Sequence, residues 1–289
     1  MKPILSAFVI IDKMRTLLAI LFLCSTAIAQ KNLRTEENLG GAKSIKAIFD
    51  LGAVDFTLKK VNDPSKAFKL DYSYSEDEKV PRLTYEINDE KGTLHLSNEK
   101  TDSHVSLWGL RGNKDSVYVE LANSVPLFLT MNFGVCSANV DLGGMKIADA
   151  VFSTGVCSFD LDFSSPNEIE CDNIKVKTGV SSVTVKNLSN ARAKSINFNG
   201  GIGSMKIDFG GKLVTDCDVK VKTGLGSVEI SIPSNINTTI TTSESFLTGV
   251  DVAGFYSQGG GVYRSNVRTG PHLRITIESA MGGVAVKSY

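Results

Sequence analysis

Five serines are the residues most open to a chemical reading: Ser137, Ser158, Ser182, Ser204 and Ser227 each stand three positions after a glycine, at Gly134, Gly155, Gly179, Gly201 and Gly224. A serine nucleophile needs a base held within hydrogen-bond reach. The three histidines, His95, His104 and His272, are scattered and do not recur with the serines. Five equivalent serines without a matching histidine read as a structural ladder. Cys-x-x-Cys, His-Glu-x-x-His and a phosphate-cradling glycine loop are also missing. No catalytic, metal-ligating or cofactor-binding residue is therefore nominated, and no cofactor is expected. The stretch from Gly200 to Asp208 faintly resembles a calcium-binding nonapeptide, but the other copies lack its second glycine and regular aspartate. Asp141 and Asp162 read as a solvated face.

The elements that carry these corners follow from their spacing. The copies recur every 21 to 24 residues, a period of solenoids and arrays. Counted from the glycines, Ala138, Phe159, Val183, Met205 and Val228 stand four positions on, and Val140, Leu161, Val185, Ile207 and Ile230 six on. These columns are the expected core, while Asn139, Asp160, Thr184, Lys206 and Glu229 between them face water. Ahead of the glycines a second alternating stretch supplies pairs such as Leu129 and Met131, Ala150 and Phe152, and Ile196 and Phe198. Period-two alternation is the strand signature, so each coil has two strands bent at a glycine. Glycine is expected there for backbone angles closed to other residues. The serines would stack in a crowded corner at the strand spacing of ~4.8 Å, bonding along the column or to the bending backbone.

Cys136 and Cys157 share the position two after the glycine, where other coils have Ser181, Gly203 and Gly226. They are expected to be small, unbridged core fillers. A disulfide between them is the alternative, with Cα atoms in range but Cβ vectors pointing the same way. Cys171 and Cys217 lie two coils apart, about 9.6 Å by strand spacing, too far to bridge. Aromatic residues outside the columns are the candidate partner-binding groups: Trp108, and Phe255, Tyr256 and Tyr263 around the glycine run 259–261. Exposed, they would bind glycan or protein; buried, they would plug the ends of the stack or line a hairpin.

At the N-terminus Lys13 and Arg15 precede the apolar run Thr16–Cys24, and Ala27 and Ala29 frame a cleavage site before Gln30, a secretory signal over residues 1–29. Met14 is an alternative start, and Leu23 before Cys24 argues against lipid attachment. Removing residues 1–29 takes away Lys2, Lys13, Arg15 and Asp12 and leaves 28 basic against 30 acidic residues, a net charge of −2. Near-neutrality argues against a nucleic-acid partner, and no later segment reaches membrane-spanning length. The whole is expected to be all-β and a single-domain β-solenoid-like stack: an antiparallel region with a capping coil over 30–123, where Gly52 opens a degenerate copy, then the glycine-serine repeat over 124–289.

These residues resemble a known family. The run Val125–Leu129, the corners at Gly134, Gly155 and Gly179, the segment Asn187–Ala191, the stretches Gly201–Ser204, Asp208–Gly211 and Gly224–Ser227, and Ile232 with Pro233 look like the bacterial toast-rack family. That family is related in pattern to the LiaF-like envelope-response domain and to head-domain adhesins. The resemblance covers residues 33–289 and implies an extracytoplasmic β-module for binding, adhesion or envelope sensing, with no catalytic residues to carry over. The expected function is an exported, non-enzymatic envelope module with a binding or scaffolding role, in the periplasm or at the cell surface of a bacterium. Its partner would be an envelope protein or a glycan. The alternatives are a surface adhesin or glycan binder, and an envelope-stress sensing component. A β-helix polysaccharide enzyme is disfavoured because no cluster of acids and bases converges.

Overall fold

A computed structural model describes residues 30–75, 80–98, 115–242 and 248–289. The expected signal segment, Met14, Cys24 and Trp108 lie outside the described residues.

The repeat folds into long strands, each one rung of a parallel stack: β7 (Leu127–Asp141), β8 (Ile147–Asp162), β9 (Cys171–Lys186), β10 (Ala193–Asp208) and β11 (Cys217–Ile232). Pairing is in register, so Ser137, Ser158, Ser182, Ser204 and Ser227 face one another rung to rung. The degenerate copy at Gly52 is a complete rung, β2 (Ser44–Lys60), with Ala53 opposite Val135. The tail also supplies a complete rung, β16 (His272–Ser288), which places Met281 against Leu225.

Each rung bends at its glycine, or at Ala280 in β16, into a leading and a trailing half whose inward positions bury one shared core. On the leading side Phe49, Met131, Phe152, Val176, Phe198, Val221 and Ile277 form a buried column; on the trailing side Phe56, Ala138, Phe159, Val183, Met205, Val228 and Val284 do. Aromatic pairs tie the two halves of a rung together across the bend, Phe49 with Phe56 at 5.2 Å and Phe152 with Phe159 at 5.1 Å between ring centroids. Such contacts favour tilted or edge-on rings. The buried columns of the expected core are all present.

Strand order departs from chain order at both ends. β2 lies between β7 and an outer rung made of two shorter strands, β5 (Lys91–Ser97) and β6 (Asp115–Leu121). At the other end β16 lies between β11 and the pair β12 (Asn237–Thr242) and β13 (Thr248–Ala253). Three of the four outer half-rungs are then covered by antiparallel strands, β13 pairing only with β16 among the described residues: β4 (Arg82–Asn88) on β5, β3 (Lys66–Ser75) on β6, β1 (Gln30–Asn38) on β3, β15 (Val262–Arg264) on β12 and β14 (Tyr256–Gly259) on β15. Antiparallel neighbours need only a short turn, whereas a further parallel rung needs a crossover. Covering β5, β6 and β12 this way blunts those parallel edges against non-native pairing.

Two expectations about the corner are corrected. Gly134, Gly155, Gly179, Gly201 and Gly224 do not adopt positive φ. They are glycines because a Cβ on any of them would stand 2.5 to 2.7 Å from the carbonyl oxygen of the glycine one rung earlier. Left-handed angles occur two positions later, at Gly203 (φ 140°), Gly226 (φ 147°) and Gly282 (φ 130°). The second correction concerns Cys136 and Cys157, which form a disulfide with Cα atoms 4.6 Å apart. In-register parallel pairing sets both inward-pointing side chains side by side, and that proximity outweighs their shared direction. Cys171 and Cys217 are free and buried, with β10 between their strands. Burial pushes both thiols up to about 12.

Candidate functional site

Parity along the strand decides what the surface shows. With positions four and six after each glycine buried, positions one and three must point outward. The first is aliphatic in every copy. Val156, Val180, Ile202, Leu225 and Met281 are 52, 49, 51, 44 and 46 % exposed, and each is paired with the next along the stack. They form a straight apolar ridge spanning four strand spacings, about 19 Å. The serine column runs beside it and faces solvent rather than a crowded interior; within it Ser204 Oγ donates to Ser182 Oγ at 3.4 Å.

On the other side of the glycines the lack of side chains leaves a shallow groove of about 590 Å³. Gly52, Gly134, Gly155 and Gly201 floor it, and Asn132, Ser153, Lys177 and Asn199 form its polar wall. Asn132 Nδ2 donates to Asp50 Oδ1 at 2.7 Å, and the other oxygen of Asp50 lies 2.8 Å from His95 Nε2. A second groove of about 480 Å³ lies further from the bend on the same outer face, among Asn197, Lys220, Thr239 and Arg274. Arg274 is held there by Asp218 at 2.5 Å and Asp216 at 3.2 Å, the two carboxylates that also raise its pKa.

Between these grooves the register builds an ordered array. Lys175 pairs with Asn197, which pairs with Lys220; Lys177 pairs with Asn199, which pairs with Lys222. Glu278 bridges Lys220 at 2.9 Å and Lys222 at 2.7 Å, and the hydrogen bonds from Lys222 and then Lys220 hold its carboxyl below the usual range. Lys175 and Lys177 have no ion pair among the described residues.

The sequence-based aromatic candidates separate at the C-terminal cap. Phe255 and Tyr263 are partly buried and pack against the core. Tyr256 is 54 % exposed, and its hydroxyl accepts a hydrogen bond from Asn266 Nδ2 at 3.0 Å. His95 and His272 sit on different rungs, with His272 Nε2 2.9 Å from Thr239 Oγ1; Arg274 and burial lower the His272 pKa, burial more. Among the described residues no three His, Cys, Asp or Glu gather as metal ligands would, and no helix is long and apolar enough to cross a membrane. Sequence reasoning missed the ridge and the lysine array. The aliphatic residue after each glycine was in plain view, and counting its parity would have put it outside. The array needed the offset between β9 and β11, which no single copy shows.

An all-β stack of in-register parallel rungs with a grooved outer face defines a β-solenoid-like fold. A family model described as the N-terminal domain of toast_rack, DUF2154, matches residues 25–186 and again residues 167–231; the chain belongs to the toast-rack family. A "putative cell adhesion protein" from Clostridium sporogenes shares the fold, with a TM-score of 0.53 and 19% identity over 90% of this chain and 100% of that one. A "putative adhesin" from Bacteroides fragilis aligns at a TM-score of 0.33 and 10% identity over 91% of this chain and 99% of that one. No curated protein matches the chain.

Proposed function

We propose that the protein is an exported, non-enzymatic envelope module of the adhesin type, acting in the periplasm or at the cell surface and holding an extended partner along its stack. The observation that carries this reading is the apolar ridge Val156, Val180, Ile202, Leu225 and Met281, five side chains each about half exposed and paired one to the next along consecutive rungs. A contiguous apolar patch on an exposed face marks a site of contact with a partner. Toast-rack membership and the adhesin-like neighbour support the reading. It is tested with Val180→Ser, Ile202→Ser and Leu225→Ser combined. The variant should melt within about 2 °C of the parent, because these side chains lie outside the core, and should lose adherence to envelope-coated surfaces. Undiminished adherence by a folded variant contradicts the reading.

A further inference from the structure

We infer that the outer face of the leading half-strands, centred on Lys175, Lys177, Lys220 and Lys222 with Asn197 and Asn199 between them, binds a linear acidic polysaccharide. The inference rests on the reading of the chain as a binding module and names its partner's chemistry. Two lysines two residues apart on one strand are separated by about 6.6 Å, and the rows on β9 and β11 by about 9.6 Å. Like charges brought this close on one face repel, and a single carboxylate, Glu278, answers four ammonium groups. Lys175 and Lys177 are exposed and have no ion-pair partner among the described residues. An anionic ligand supplies the missing countercharge.

The groups between the charges narrow the class. Asn197 and Asn199 present amides that donate to and accept from hydroxyls, which suits a sugar. A groove leads off at either side, one containing Lys177 and Asn199 and the other Asn197 and Lys220, so a chain longer than the array has room to continue. A nucleic acid would need a denser run of cations to match one charge per ~1.7 Å. A bilayer would favour an apolar surface among the lysines, and here that surface lies at the corner ridge instead.

The test uses the chain from Gln30 onward with polygalacturonate and uncharged dextran of matched length, by calorimetry at low and at high salt. Polygalacturonate should bind, more weakly as salt rises, and dextran should not. Lys175→Gln with Lys177→Gln should weaken binding about a hundredfold or more, one charged hydrogen bond being lost at each lysine. Lys59→Gln with Lys186→Gln, the same charge change on the trailing half-strands, should leave it unchanged. Equal binding to dextran, an equal loss in the control variant, or tighter binding to anionic vesicles or single-stranded DNA would overturn the inference. If the array variant still adheres to envelope-coated surfaces while polygalacturonate does not bind, the inference falls and the adhesin reading stands. If the unmodified chain binds neither, both fall.

Discussion

Gly179 and Gly201 are held to glycine by the rung beneath them. A Cβ there would meet a carbonyl oxygen at 2.6 and 2.5 Å, and backbone cannot swing away as a side-chain tip can. Gly179→Val or Gly201→Val should cost about 1 to 3 kcal/mol, the usual range for overpacking, read as a drop of several degrees in the thermal melt. An unchanged melt removes the close-approach account. The buried thiols give a second residue-scale prediction. Desolvation raises Cys171 and Cys217 from 9.0 to about 12, so the folded state holds their protons more tightly than the unfolded state does. A raised folded pKa gives stability that is complete below the unfolded value and is lost as pH climbs through the folded one. The melt should therefore fall between about pH 9 and 12, and fall less in Cys171→Ala with Cys217→Ala. Under denaturing conditions the chain from Gln30 should release two thiols, and four after reduction.

Among the elements, the turns between rungs do more than connect. Asn167 is fully buried after β8. Its Oδ1 accepts from the Ile147 amide, and its Nδ2 donates to the carbonyls of Ile147, Ile169 and Ala191, all at 2.8 to 3.2 Å. One side chain thus pins the starts of successive rungs. Asn167→Ala leaves several buried backbone groups unpaired, each costing about 1 to 3 kcal/mol, so the denaturant midpoint should drop more than for any corner serine. A drop no larger than that of Ser158→Ala contradicts this. The Cys136–Cys157 bond closes a loop of 21 residues, and reducing it should cost about 3 kcal/mol, measured by denaturation with and without reductant. The rungs were legible in the sequence because alternation and period are local properties of each copy. Asn167 was not, since nothing local separates a buried asparagine from one in a solvated turn.

The molecule as a whole is a stack whose last single-piece strand threads inward. The core columns at Ala138, Phe159, Val183, Met205 and Val228 could be read by aligning copies. The placement of β16 beside β11 could not, because β12 follows β11 in the chain and a repeat read in order seats the next rung there. The ridge and the lysine array exist only if neighbouring rungs keep their register, and the ridge reaches Met281 only if β16 occupies that slot. Paired cysteines test this directly. Ser227→Cys with Gly283→Cys joins positions paired across β11 and β16, whereas Ser227→Cys with Gly249→Cys spans strands separated by β16, since Gly249 pairs with Gly283. Under mild oxidation the first pair should form a bond and the second should not. A bond in the second pair, with none in the first, would contradict the stack and the binding surfaces built on it.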